Sequence, residues 1–146
     1  MTLGHEKLDI HHLSIDYVTW VYKKADDLCG KHRHARDQWL RARQSIPLNI
    51  AEGNGMTAEA DRRRYFEIAR GSALECVAIQ DVLKAGKALD GEESREHKIE
   101  LDRIAAMLSR LGGRGYRVQE DTEPYGQVEF DPDPDLDFDP DEIKAH

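Results

Sequence analysis

The stretch that decides the fold is Tyr65-Phe66-Glu67-Ile68-Ala69-Arg70-Gly71-Ser72-Ala73-Leu74-Glu75-Cys76-Val77-Ala78-Ile79-Gln80-Asp81-Val82-Leu83. Phe66, Ala69, Ala73, Cys76, Gln80 and Leu83 recur at steps of three and four, which lines them along one face of a helix. Tyr65, Ile68, Ser72, Glu75 and Ile79 form a second seam beside it. Two adjacent seams make a wide buried face, so this helix is expected at the centre of a bundle. It is predicted from Ala58 to Leu89, with Thr57 as N-cap and Glu59 and Asp61 at the positive end of its dipole. Gly71 costs about 1 kcal/mol against alanine in mid-helix. Close approach of a neighbouring helix is the expected compensation.

Working outward, a helix is predicted from His34 to Glu52. Trp39, Ala42, Ile46 and Ile50 form its apolar seam, and Ser45, Asn49 and Glu52 a polar seam next to it. Pro47 lies inside and cannot donate to the Arg43 carbonyl, so a kink is expected rather than a break. Gly53-Asn54-Gly55 stops this helix. An earlier one runs from Asp9 to Leu28 on Leu13, Tyr17, Trp20, Val21 and Leu28, with Gly30 free to take a left-handed cap. A last helix runs from Glu92 to Leu111 after Asp90-Gly91, on Leu101, Ile104, Leu108 and Leu111, and ends at Gly112-Gly113-Arg114-Gly115. No stretch of the body alternates with period two. The expected fold is all-α, an antiparallel up-and-down four-helix bundle over residues 1–118.

The chain has 146 residues and a formal net charge of −8. That length fits one domain with a real core. Residues 119–146 hold eleven acidic residues and one base, Lys144, which leaves 21 − 1 = 20 Lys/Arg and 29 − 11 = 18 Asp/Glu in residues 1–118. The acidity therefore belongs to the tail. Its Asp-Pro repeats predict an extended, disordered, low-complexity segment. Cys29 and Cys76 alone suit a reduced interior. No apolar run approaches the ~20 residues of a membrane span, and the N-terminus lacks a signal-peptide core. A soluble cytoplasmic protein is expected.

Several chemistries fail on their own requirements. Gly53-x-Gly55-x-x-Ala58 opens a helix, but helix and not strand precedes it, so no dinucleotide cofactor is expected. Cys29, His32 and His34 lack a fourth metal ligand. The tail aspartates lack the glycine and terminal glutamate of a calcium loop. No serine sits in a nucleophile elbow. Asn49, Glu52 and Glu75 border the core and could make an acid–base site; the preferred reading joins Ser45, Asn49, Glu52, Arg70, Ser72 and Glu75 in a buried polar network that fixes helix register. No enzymatic activity, cofactor or metal is expected. Arg33, Arg36, Arg41, Arg43, Arg62, Arg63 and Arg64 are the candidate nucleic-acid contacts, through phosphates. Ion pairs to Asp37, Glu59 and Asp61 on a solvated surface are the equal alternative.

Ser45-Ile46-Pro47-Leu48-Asn49-Ile50-Ala51-Glu52-Gly53, followed by Arg64-Tyr65-Phe66-Glu67-Ile68-Ala69-Arg70-Gly71-Ser72-Ala73-Leu74-Glu75, resembles the four-helix-bundle family of 23S ribosomal RNA intervening sequences. That family includes the accessory variability protein of diversity-generating retroelements. The likeness covers roughly residues 6–112 and leaves out the tail. The resemblance implies a homopentameric barrel and, for the retroelement relative, binding of nucleic acid and of a reverse transcriptase through a basic surface. The body here is only slightly basic, which departs from that relative. The expected function is a non-enzymatic oligomeric accessory protein that binds RNA or DNA; the alternative is a protein-interaction scaffold. The acidic tail is a further candidate, as a nucleic-acid mimic tethered to a basic rim.

Overall fold

The computed structural model describes residues 2–112. Residues 113–146 lie outside the described residues, and with them the expected disorder of the acidic tail. Four helices account for most of the rest: α1 (Thr2–Ala25), α2 (Arg33–Asn54), α3 (Glu59–Ala85) and α4 (Gly91–Leu111), with a short 3-10 turn at Gly30–His32. Each helix packs on the next, and α1 closes against α4, so α1 and α3 are diagonal. Short connections make neighbours antiparallel, as expected.

Most seam residues are where the sequence puts them, although Leu13 and Leu111 are only half-buried. Trp39, Ala42, Ile46 and Ile50 of α2 meet Phe66, Ala69, Ala73, Cys76, Gln80 and Leu83 of α3 in the core, with Tyr17 and Val21 of α1 and Leu101, Ile104 and Leu108 of α4. Burying one such large side chain contributes about 1.5–3 kcal/mol. The second seam of α3 divides: Ser72 and Ile79 are buried, whereas Ile68 and Glu75 are exposed. The buried arc of α3 is thus narrower than predicted on that side. α2 runs unbroken through Pro47, which is itself buried.

The helix ends differ from the sequence reading for local reasons. α1 stops at Ala25 rather than Leu28, because Asp26 and Asp27 would bring negative charge to the negative end of the dipole, whereas Lys23 and Lys24 suit it. Gly30 does take a left-handed φ of 59°, but at the start of the 3-10 turn and not as the cap of α1. The position before α3 is Ala58, extended and without a side-chain cap, in place of Thr57. The Asp90 carboxylate caps α4 by accepting from the Glu92 and Glu93 amides at 3.1 and 2.9 Å.

α3 ends at Ala85, short of the predicted Leu89. The Ala88 amide donates to the Leu83 carbonyl and the Lys87 amide to that of Lys84. This pairing is a Schellman motif, and its left-handed residue is Lys87 at φ 62°, one position after Gly86. A lysine there bears strain that glycine would not. Lys87→Gly is expected to raise stability by about 0.5–1 kcal/mol in urea denaturation.

One polar chain threads the core and touches every helix. The Trp39 indole Nε1 donates to the Tyr17 hydroxyl at 3.0 Å. That hydroxyl donates to the Gln80 Oε1. Gln80 Nε2 donates in turn to the Ser94 carbonyl and Oγ at 3.0 and 3.1 Å. Burial pushes the Cys76 thiol beside this chain up from 9.0 to about 12. Burial also drives the Tyr17 hydroxyl far above its ordinary value. Both groups stay protonated in the folded protein where the unfolded chain has lost those protons. The folded state then binds more protons, so stability falls as pH rises. The loss begins near pH 9 with Cys76 and steepens above about 10 with Tyr17, at about 1.4 kcal/mol per pH unit for each group. Urea titrations from pH 7 to 10.5 check this, and Cys76→Ala is expected to remove the slope below pH 10.

A second latch joins α1 to α4. Trp20 stacks on His97 with ring centroids 3.7 Å apart, and its Nε1 donates to Glu93 at 2.8 Å. Lys24 pairs with the other Glu93 oxygen at 2.9 Å. Burial opposes charge on Glu93, but the bonds from Lys24 and Trp20 outweigh it and hold the carboxyl below its ordinary value.

Candidate functional site

The seven candidate arginines do not share one surface. Arg33 and Arg36 open α2, next to the end of α3: His32 lies 3.5 Å from where a Gly86 Cβ would sit. Arg62, Arg63 and Arg64 open α3, at the other end of the bundle. Some twenty helical residues between Arg33 and Gly53 put about 30 Å between the two groups.

Most of these side chains already have intramolecular work. Arg36 donates to the Leu28 carbonyl at 3.1 Å and pairs with Asp37 at 3.2 Å, which ties the α1–α2 turn to α2. Arg62 donates to the Met56 carbonyl at 3.0 Å and ties down the α2–α3 turn. Arg63 is half-buried with its stem beside Gly112 at the end of α4. Arg64 is exposed, with its guanidinium 5.0 Å from the Tyr65 ring. Arg33 and Arg41 are exposed. Arg43 is buried, and its guanidinium lies 3.8 Å over the ring of Tyr22. The predicted arginine-rich face thus separates into two ends, the exposed Arg41 between them and one buried cation. Helix periodicity alone could not show this, because it places residues around an axis but not along a neighbour.

The expected six-residue polar network is smaller than predicted. Asn49 Nδ2 donates to the Ser45 carbonyl and Oγ at 2.9 and 3.0 Å, and Ser72 Oγ donates to Ser45 Oγ at 2.7 Å. Of these bonds, the one from Ser72 to Ser45 joins α3 to α2. Glu52 and Glu75 are exposed and take no part. Arg70 lies on the other side of α3, beside Arg63, Phe66, Glu67 and Leu108. Carboxylates at the edge of the seam remain in water, where their charge costs little. Among the described residues no three His, Cys, Asp or Glu side chains gather as a metal site, and Cys29 is exposed.

The surface carries something that composition does not reveal. Leu48 on α2 and Ile68, Leu74 and Val82 on α3 are exposed, as are Ile15 and Tyr22 on α1. Val82, with Ala35, Gln38, Glu75, Ala78 and Ile79, also lines a groove of about 260 Å³ between α2 and α3. Ile68, Gly71, Glu75, Ala78, Val82 and Ala85 follow alternating steps of three and four, the pattern of a seam that meets another helix.

A family model of the 23S rRNA-intervening sequence protein matches residues 6–110, which spans all four helices. The chain belongs to this family. A solved structure of a protein of unknown function from the S23 ribosomal protein family of Bacteroides thetaiotaomicron has the same fold, with a TM-score of 0.70. It is 19% identical and covers 74% of this chain and 98% of its own. No curated protein matches the sequence. Within the family match, the Ser45–Gly53 run forms the second half of α2, and Arg64–Glu75 the facing half of α3. Within the motif, Ser45, Asn49, Gly53, Phe66 and Ser72 make the helix joint. Gly53 is the position of closest approach: a Cβ there would stand 2.6 Å from the Phe66 ring. Gly71, expected to play that part, has nothing within 4 Å. Among the described residues no helix is long and apolar enough to cross a membrane.

Proposed function

We propose that this chain is a non-enzymatic accessory protein that assembles with copies of itself and binds nucleic acid at the rim made by Arg62, Arg63 and Arg64. The observation that carries the assembly is the exposure of Leu48, Ile68, Leu74 and Val82 along α2 and α3 of one protomer. Ile68 and Val82 continue one helical seam with Leu74 and Leu48 beside it, and exposed apolar residues so grouped favour a protein contact over water. A homopentamer is the assembly number that the family resemblance suggests. Reverse transcriptase as a partner rests on the same resemblance.

The nucleic-acid part rests on three successive arginines at the opening turn of α3, near the basic last turn of α4 at Arg110. Three consecutive positions fan over about 200° of the helix, so at least one always faces outward. Replacing all three (Arg62→Gln, Arg63→Gln and Arg64→Gln) should weaken binding to RNA and DNA at least about tenfold near 0.1 M salt. The slope of log affinity on log salt should also fall by about 2. Fluorescence anisotropy across a salt series measures both. An unchanged slope would sink this assignment.

The alternative is a scaffold that meets only proteins. Its specific support is the dispersal of the arginines, two of which, Arg36 and Arg62, already hold turns together. A pull-down that recovers a protein partner after nuclease treatment, together with absent nucleic-acid binding, would favour it.

A further inference from the structure

Two charges of opposite sign, Arg43 and Glu75, act on the Cys76 thiol from α2 and α3 but make no direct ion pair, and each lies beside exposed apolar residues. Arg43 is only 5% exposed. Its Nε has no hydrogen-bond partner, and among the described residues no carboxylate lies within ion-pair distance. A buried cation left so is costly. Stacking on Tyr22 at 3.8 Å offsets part of that cost but uses only the face of the guanidinium. The N–H edge is held in a fixed plane, the preorganised fork that suits a carboxylate. Tyr22 is 58% exposed, and Ile15, seven residues earlier on the same α1 face, is 40% exposed.

The matching feature lies on α3. Glu75 is exposed and makes no ion pair among the described residues, although its charge reaches the Cys76 thiol one residue on. It stands midway between exposed Ile68 and Val82 at seven-residue steps, at the edge of the α2–α3 groove. This is one carboxylate on an apolar stripe, the complement of one cation beneath an apolar stripe.

We propose that Arg43, beneath Tyr22, receives the Glu75 carboxylate of a second copy of this chain. The proposal rests on the self-assembly reading above. A single carboxylate fits better than a polyanion, because the groove beside Tyr22 holds Asp26 as well as the Arg36–Asp37 ion pair and so offers no further uncompensated cation. A second copy fits because this chain carries the required carboxylate in the required apolar setting. The two patches lie in the α1–α2 and α2–α3 grooves on either side of α2, so each copy uses two different patches. Such a contact is heterologous and builds rings or open chains rather than a two-fold dimer.

The test is a double-mutant cycle on the full chain, read by sedimentation velocity over a concentration series. Glu75→Gln leaves an exposed position and should weaken association at least about tenfold. Arg43→Met keeps the buried stem and should weaken it similarly. The double variant should be no weaker than either single one, since both remove the same pair. Additive losses, or association indifferent to Glu75→Gln, would overturn the pairing while leaving self-assembly intact. A wild type that stays monomeric at all concentrations would overturn both. Should Arg43→Met unfold, the salt dependence of association decides with Glu75→Gln alone: it must be shallower than in the wild type, and an equal slope overturns the proposal.

Discussion

Replacing Gln80 with leucine is expected to lower the folding free energy by about 2–4 kcal/mol, although leucine fills a similar volume in an apolar seam. Gln80 is fully buried and is the middle link of the chain from Trp39 through Tyr17 to Ser94. Leucine leaves the Tyr17 hydroxyl with a proton and no acceptor, in a place water cannot reach. It also removes the donor that serves the Ser94 carbonyl and hydroxyl. Tyr17→Phe should cost about as much for the mirrored reason, because it strands the Trp39 indole N–H and the Gln80 carbonyl. The double variant should cost clearly less than the sum, since each change already strands part of the same chain. Urea denaturation of the four proteins measures the coupling. Strict additivity would mean that the chain is not one unit.

Gly53→Ala should destabilise by about 1–3 kcal/mol even though alanine is the better helix former by about 1 kcal/mol. The new methyl would meet the Phe66 ring at 2.6 and 2.8 Å, and that ring is nearly sealed in the core with little room to retreat. Phe66→Leu removes the obstructing ring atoms and should recover part of the loss, although alone it weakens the core. Gly71→Ala supplies the contrast. Nothing lies within 4 Å of that position, so the same change should stabilise by about 0.5–1 kcal/mol. Equal effects at the two glycines would show that helix propensity, and not the α2–α3 joint, sets the outcome. The two results bear on function through the same joint, because the groove and the exposed stripe depend on how α2 lies against α3.

The core was legible in the sequence because helical periodicity is a local property. Steps of three and four placed Trp39, Ile46, Phe66, Cys76, Leu83, Leu101 and Leu108 on the faces they occupy. Gln80 was visible as a member of an apolar seam, a signal that could have marked the buried chain. Its partners Tyr17 and Ser94 were not readable, since they come from two other helices. The helix ends were shifted by charge and turn chemistry at Asp26, Asp27 and Lys87 that hydrophobic spacing does not register.

The sequence alone therefore determined the four-helix class, most residues of the core and the family, all of which follow from local pattern, while Ile68 fell outside the core and Ile10 was not foreseen in it. Only the tertiary structure decided which charges meet. It separated Arg33 and Arg36 from Arg62–Arg64, buried Arg43 under Tyr22 and left Glu52 and Glu75 in water. The physical reason is that periodicity fixes an angle about one helix axis. Proximity depends on how neighbouring axes run: α2 spans the bundle, so the turn at its far end starts α3, and Arg62–Arg64 with it, at the end opposite Arg33 and Arg36.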